Sequence, residues 1–302
     1  MVKTMEGATP GVEAGADPVV SVVIPTFRRE GMVVEAVRSA LGQTGVALEV
    51  IVLDDSPEAS AKAAIAAIGD ARVRYVHRAV PSGGNPALVR NEGLSLARGE
   101  FLHFLDDDDV FLDGALAASI AALRRTNAGV AVGLVKPFGP DPAAVREETQ
   151  YFADGEQWLR RAKSRFALVA GMLYRRTPLV NSACTIRRTC AEAVGGYSAA
   201  VRIVEDVDFY LRAIRRFGFV FLDRTVVKYR VGLPSIMHSL TDRGVLKGSY
   251  RQIYLQYRNE HGPVELLALR AYDLVRRLGG VSFSHAATQV ASWGLGCAIA
   301  FG

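Results

Sequence analysis

FLHFLDDDD, residues 101–109, is the stretch whose reading decides the fold. Phe101, Leu102, Phe104 and Leu105 make a short apolar run with aromatics, which predicts a strand buried on both faces. The run leads straight into Asp106, Asp107, Asp108 and Asp109. Burying an unpaired carboxylate costs several kcal/mol, so the acids are expected where the strand emerges from the core. Four like charges in a row repel, and a bound cation would relieve them. If the chain stays extended, Asp106 and Asp108 point one way and Asp107 the other. That pattern offers a hard, oxygen-only site of one or two carboxylates, of the kind Mg²⁺ takes when phosphates supply its other ligands. The plain alternative is a solvated acidic turn before a helix. A calcium loop does not fit, because its fifth position counted from Asp106 would be Val110.

Upstream, the chain alternates. Residues 19–25 (VVSVVIP) and 48–53 (LEVIVL) read as buried strands, and 73–77 as a third. Between them, residues 30–43 carry Val33, Val37 and Leu41 on one helical face, and 57–68 are alanine-rich and helical. A Pro/Gly loop precedes a helix over 86–97, with proline in its first turn. Strand and helix alternating in this way predict a parallel sheet covered on both faces, with ligands collecting beyond the carboxyl ends of the strands. Loops 26–29, 54–56 and 106–109 all leave strands at that end, so the sequence puts its acids on one rim.

Downstream, the pattern loosens. Helices are expected at 115–124, 151–163 and 205–217, strands at 130–136, 181–186, 220–222 and 226–231, and a proline-containing loop at 138–145. Another helix ends at Gly195-Gly196-Tyr197. Residues 246–257 and 264–278 have the spacing of amphipathic helices packed late. Glu205, Asp206 and Asp208 open a helix, where acids suit the macrodipole.

The chain has 302 residues, 50% of them hydrophobic and 22% charged, with a formal net charge of +5. That is ample for a globular core and too mildly basic to argue for a nucleic-acid partner. Cys184, Cys190 and Cys297 are scattered, which predicts buried thiols in a reducing, cytoplasmic setting and neither a disulfide frame nor a zinc site. Residues 1–17 are rich in Gly, Ala, Glu and Pro and are expected to form a disordered tail. No apolar run has the length of a spanning helix.

Five stretches, in this order, resemble glycosyltransferase family 2: SVVIPTFRR (21–29), EVIVLDDS (49–56), VRNEGLSLARGEFLHFLDDDD (89–109), VGGY (194–197) and EDVDFYLRA (205–213). The likeness covers residues 18–231. It implies an α/β, Rossmann-like GT-A fold, a mostly parallel central sheet flanked by helices, with a C-terminal helical extension. Residues 18–113 would then be the nucleotide half of one domain, 114–231 the acceptor half, and 232–302 a helical extension packed on it. The resemblance further implies an inverting hexosyl transfer from a nucleotide-sugar donor, UDP favoured and dTDP or GDP open, with Mg²⁺ or Mn²⁺. Pro25, Thr26, Asp54, Asp55, Arg90 and Asp107 match nucleotide-binding positions. Asp106 and Asp108 match the metal-holding acids, His238 lies where some relatives add a ligand, and Asp206 matches the general base that deprotonates an acceptor hydroxyl.

The chain departs from the family's common pattern at Phe27-Arg28 and at Ser56-Pro57-Glu58, which leaves the base preference open. It has no QxxRW signature, so a single, non-processive transfer is expected. A sugar-nucleotide pyrophosphorylase would want glycine after the first strand, where Thr26-Phe27-Arg28-Arg29 has none. A non-catalytic nucleotide-sugar-binding protein would be expected to lack acids at positions such as 106, 108 and 206. Arg28, Arg29, Arg187 and Arg188 are candidates to hold phosphates, with solvated surface as the default expectation. Arg270, Arg276 and Arg277, ahead of an uncharged stretch, suit peripheral contact with anionic lipid, and the late helices could serve a homodimer. The acceptor and the sugar are not readable.

Overall fold

The computed structural model describes residues 18–174, 179–233 and 243–278. Strands β1 (Val20–Thr26), β2 (Leu48–Asp54) and β3 (Val73–His77) alternate with helices α1 (Glu30–Leu41), α2 (Lys62–Ala66) and α3 (Pro86–Leu96), and β4 (Phe101–Phe104) follows. These four strands pair in parallel. After them come β5 (Val110–Phe111), α4 (Ala115–Arg124), β6 (Val130–Phe138), α5 (Pro142–Arg161) and α6 (Arg165–Tyr174). A 3₁₀ turn (Asn181–Ala183) leads into β7 (Cys184–Arg187), then α7 (Arg188–Ala193), α8 (Glu205–Phe217), β8 (Phe219–Arg230) and α9 (Arg243–Leu278). The sheet runs β3-β2-β1-β4-β7-β6-β8-β5. Parallel pairing is interrupted by β7, which lies antiparallel between β4 and β6, and resumes between β6 and β8.

Helices cover both faces of this sheet. Val23, Leu53 and Phe104 point to one apolar layer with Tyr197 and Phe209. Val22, Val33, Val37, Phe101 and Leu116 fill the other. Near-continuous apolar strands are what two-sided burial requires. The strand entry is tight: a Cβ on Gly99 would lie 2.6 Å from the Ser21 amide nitrogen and 2.8 Å from the Val20 carbonyl carbon.

Several boundaries differ from expectation, each for a local reason. The helix expected at 57–68 shrinks to α2, because Ala59 takes a left-handed φ of 56°. The loop and helix expected at 138–145 and 151–163 become a strand reaching Phe138 and one long α5. Pro142 starts that helix while the Asp141 carboxylate accepts the Ala143 amide at 2.8 Å, a cap-and-proline signal. Helix α6 was not expected at all. It buries six of its ten residues, so no amphipathic period marks it. The strand expected at 181–186 starts as the 3₁₀ turn. The two strands expected at 220–222 and 226–231 are one strand, β8, whose irregularity is absorbed by register shifts around Leu134 of β6. The two late helices form α9, bent at Gly262, where φ is 80° and ψ is 164°. Cys184 and Cys190 are buried free thiols. The expected tail (1–17), Cys297 and His238 lie outside the described residues.

Candidate active site

The carboxyl ends of β1, β2 and β4 and the first turn of α8 supply the side chains on the rim. At the end of β2, Asp54 is fully buried. It accepts the Ser56 amide at 2.9 Å, the Ser56 hydroxyl at 2.5 Å, the Ala61 amide at 2.9 Å and the Tyr75 hydroxyl at 2.8 Å. Burial alone would raise its carboxyl, but those donors outweigh burial and hold it below the usual range. Asp54 is thus spent on shaping the loop that presents Asp55. Asp55 accepts Arg78 Nη1 at 2.6 Å, the Ser82 amide at 2.8 Å and the Ser82 hydroxyl at 2.5 Å. Arg78 is shared with Glu92 at 2.6 Å.

The four aspartates do not all emerge into solvent. Asp106 and Asp108 keep side-chain exposures of 31% and 19%, whereas Asp107 and Asp109 are buried. The alternation expected of an extended chain does not apply, because the strand ends at Phe104, and the expectation that the acids stay out of the core does not hold. The chain also turns at residues 107–108, with the Asp109 amide donating to the Asp106 carbonyl at 3.1 Å. Local donors make the burial tolerable. Asp107 accepts the Thr26 hydroxyl at 2.7 Å and Arg29 Nη1 at 3.0 Å. The same Arg29 nitrogen reaches Asp108 at 2.7 Å, so Arg29 sits in the site and not on the solvated surface where it was expected. Asp109 accepts the Arg230 amide at 3.0 Å, and its other oxygen is buried without a hydrogen-bond partner.

Burial and crowding of like charge show in the titration of these groups. Burial first, then the Asp108 charge, pushes Asp107 up to about 6 against the pull of Arg29 and Thr26. Asp108 is raised by burial and by Asp106, with Arg29 opposing. Burial and the charges of Asp108 and Asp106 push Asp109 well above the usual range. These are the conditions under which a cation is welcome.

Arg90, on α3, ties this turn to α8. Its Nη2 donates to Asp106 at 2.7 Å and its Nη1 donates to Glu205. The guanidinium lies 5.5 Å from the centre of the Tyr197 ring. Burial would lower its pKa, but Asp106 and Glu205 outweigh that and raise it further. Asp106 is steadied as well by Asn181 Nδ2 at 3.2 Å and by its own amide on the Ser182 hydroxyl at 3.1 Å. Asn181 accepts the Tyr197 hydroxyl at 2.9 Å. Asn91, beside Arg90, exchanges two hydrogen bonds of 2.8 Å with the Tyr197 backbone. The Gly196 turn that this needs has φ of 69° and no room for a Cβ against Asn91.

Asp206, in the first turn of α8, is half-buried and accepts the Val207 amide at 2.8 Å. Burial, then the neighbouring Glu205 charge, raises it from 3.8 to about 7, with Arg90 opposing. Glu205 and Asp208 lie in the first turn of α8, where dipole partners were expected. Both are buried, Glu205 on Arg90 and Asp208 on Arg212 at 2.7 and 2.9 Å. His103 is a buried core histidine between Thr185 and the Ser182 carbonyl, each at 2.9 Å. Among the described residues, no three carboxylate, imidazole or thiolate groups converge into a metal cage.

Residues 21–191, more than half of the chain, match the family described as Glycosyl transferase family 2. The chain belongs to that family. The succinoglycan biosynthesis protein ExoO of Rhizobium meliloti is 36% identical over 129 residues, which is 43% of this chain and 36% of that protein. The GalNAc(5)-diNAcBac-PP-undecaprenol beta-1,3-glucosyltransferase of Campylobacter jejuni is 35% identical over 120 residues, 38% of this chain and 36% of the relative. The matched stretch thus spans little more than a third of each of these relatives. Among solved structures, S. aureus TarS 1-349 in complex with UDP-GlcNAc superposes with a TM-score of 0.59 at 19% identity, over 80% of this chain and 66% of that one. Mannosyltransferase PcManGT from Pyrobaculum calidifontis, in complex with GDP-Man and Mn2+, gives 0.51 at 16% identity, over 93% and 81%. These likenesses establish the fold, a central sheet flanked by helices with a helical C-terminal element, as the family resemblance implied.

The pattern reading missed Arg78, Ser82, Asn181 and Arg230. Only one signal for them was available. A rim with this many acids needs cations nearby, and Arg78 directly follows β3 on the same rim.

Proposed function

We propose that this chain catalyses a single, inverting transfer of a glycosyl group from a nucleoside diphosphate sugar to an acceptor hydroxyl. The observation that carries this reading is the Arg90 strut. It binds Asp106, on the acidic turn, to the start of α8, where Asp206 has its carboxyl raised to about 7. A base poised near neutral pH is what proton removal from a hydroxyl calls for. In the reaction, the acceptor oxygen forms its bond to the anomeric carbon as its proton passes to Asp206. The bond to the diphosphate breaks with its electron pair leaving on the phosphate oxygen.

The nucleoside end is assigned to Pro25, Thr26 and the Asp54–Asp55 loop. Asp55 would face the base, with Asp54 acting through the loop it shapes. Arg90 serves the nucleotide through Asp106, and Asp107 acts through Thr26 and Arg29. UDP is the favoured nucleotide, with dTDP and GDP as alternatives; relatives of this fold carry UDP-GlcNAc in one case and GDP-Man in another. Asp106 and Asp108 would hold Mg²⁺ or Mn²⁺. The donor set fits such an ion: hard oxygens, partly open to solvent, too few to close a shell without a diphosphate and water. When bound, the ion would neutralise charge growing on the leaving diphosphate. The acceptor is a hydroxyl of unassigned origin; two relatives are named for undecaprenol-linked acceptors. Buried free thiols suit a cytoplasmic site of action.

The test is release of nucleoside diphosphate from a panel of UDP-, dTDP- and GDP-sugars with Mn²⁺, with wild type and Asp206→Asn. Turnover of one donor above the enzyme-free rate, lost in Asp206→Asn, is the expected result. A donor that binds but is turned over by neither protein, whatever hydroxyl acceptor is offered, would leave a binding protein in place of an enzyme.

A further inference from the structure

Beyond Gly262, α9 shows two different apolar faces. One packs against α6: Leu266 and Leu269 are buried, the Tyr174 hydroxyl donates to the Leu266 carbonyl at 3.0 Å, and Tyr272 meets Phe166 edge-on at 5.5 Å. The opposite face is also apolar and is uncovered. Val264, Leu267 and Val275 are 78%, 69% and 58% exposed, and Ala268 and Ala271 are exposed between them. Positions 264, 267, 268, 271 and 275 form one helical stripe, about 17 Å long at 1.5 Å per residue. An apolar stripe of this length rimmed by polar side chains marks an interaction surface.

The rim decides the partner. Arg270 stacks at 5.0 Å over Tyr174, and Arg276 lies 5.8 Å from the Tyr272 ring. The Phe166–Tyr272 contact brings the start of α6, with exposed Lys163 and Arg165, to the end of α9 that carries Arg276. Residues 157–191 contain no Asp or Glu, and residues 266–302 contain only Asp273, which is buried. The Val275 end of the stripe is therefore flanked by cations, while at its Val264 end the Glu265 carboxylate is paired with Arg215. A second copy docking through the same stripe about a two-fold axis would set arginines against arginines. An anionic bilayer surface complements both the apolar stripe and its basic rim. Among the described residues no helix is long and apolar enough to cross a membrane, so the fit is to a surface.

We propose that the outer face of α9 beyond Gly262 docks the protein on the headgroup region of an anionic lipid bilayer, with Leu267 and Val275 inserted and Arg270 and Arg276 on lipid phosphates. This rests on the helix alone and stands or falls apart from the catalytic reading. The experiment is co-sedimentation of the full chain with phosphatidylcholine vesicles, with and without phosphatidylglycerol, at low and high salt. Three proteins are compared: wild type, Leu267→Glu/Val275→Glu, and Lys62→Glu, which removes the same net charge on exposed α2. Melting curves check folding, and size-exclusion chromatography checks self-association. Wild type and Lys62→Glu should bind only phosphatidylglycerol vesicles and come off in high salt. The double variant, folded, should bind about tenfold more weakly. Three results would overturn the proposal: no binding of wild type at low salt, equal losses in Lys62→Glu and the double variant, or a wild-type dimer that the double variant dissolves.

Discussion

Replacing Asp206 with Asn should abolish turnover and, at alkaline pH, stabilise the protein. The Asp206 carboxyl is raised from 3.8 to about 7, by burial first and by the Glu205 charge next. A carboxyl that holds its proton more tightly when folded makes folding less favourable as pH rises from its unfolded to its folded value. The penalty is therefore absent below pH ~4, grows between ~4 and ~7, and is complete above. Moving a carboxyl that far is worth ~4 kcal/mol at 1.36 kcal/mol per unit. The side chain keeps contact with water, which reduces the expected effect to about 1–3 kcal/mol. Asn cannot ionise and escapes the penalty. Denaturant unfolding of both proteins, with chelator and without nucleotide, should give matching stabilities near pH 4 and a more stable variant at pH 8. The same variant should lose about 10²–10⁴ in kcat. A variant no more stable than wild type at pH 8 refutes the burial-and-charge account. A kcat within tenfold of wild type refutes the base. Wild-type kcat should rise with pH through about 7, and Glu205→Gln should move that limb to lower pH, because it removes a charge that raises Asp206.

Three further predictions follow from the same geometry. Arg90→Ala leaves Asp106 and Glu205 without their shared cation and should cost about 3–5 kcal/mol in urea unfolding at pH 7; Arg90→Lys should not rescue it, since one ammonium replaces a two-armed fork. A loss under 1 kcal/mol would say that the strut is not structural. Arg29→Ala removes a resident cation from Asp107 and Asp108, so Mn²⁺ without nucleotide should bind about tenfold more tightly at pH 8 by calorimetry. Weaker binding would make Arg29 a helper and not a competitor. Gly99→Ala forces a Cβ against the β1 backbone and should destabilise by about 1–3 kcal/mol, read as a lower Tm; an unchanged Tm would mean that the β1–β4 entry yields.

The first half of the chain was legible because its signals are local. Apolar strands ending in Asp54 or Asp106, with helices between, follow from burial and turn chemistry alone. The second half was less so. Helix α6 is apolar all round and shows no period, and β8 stays one strand only by bulging out extra residues between Phe221 and Val227 against a regular β6. The candidate site was legible as a set of acids but not as a network. Nothing in EDVD says that Glu205 turns inward to Arg90 while Asp206 stays half open. Nothing in DDDD says that Asp109 is buried beneath Asp108, because that depends on Arg230, more than a hundred residues away. Long-range partners such as Arg78 for Asp55 are fixed by topology, and the sequence pattern carries only their charge.

The central claim, a nucleotide site completed by a metal on the Asp106–Asp108 turn, is tested most directly by thermal melting with UDP, dTDP and GDP, each with and without Mn²⁺. Wild type and Asp108→Ala should be compared. At a hundred times its Kd, a nucleotide should add about 2.7 kcal/mol of apparent stability. One nucleotide is expected to stabilise wild type only when Mn²⁺ is present and to leave Asp108→Ala unmoved. Stabilisation that is equal in the two proteins, or absent with every nucleotide, would contradict the site.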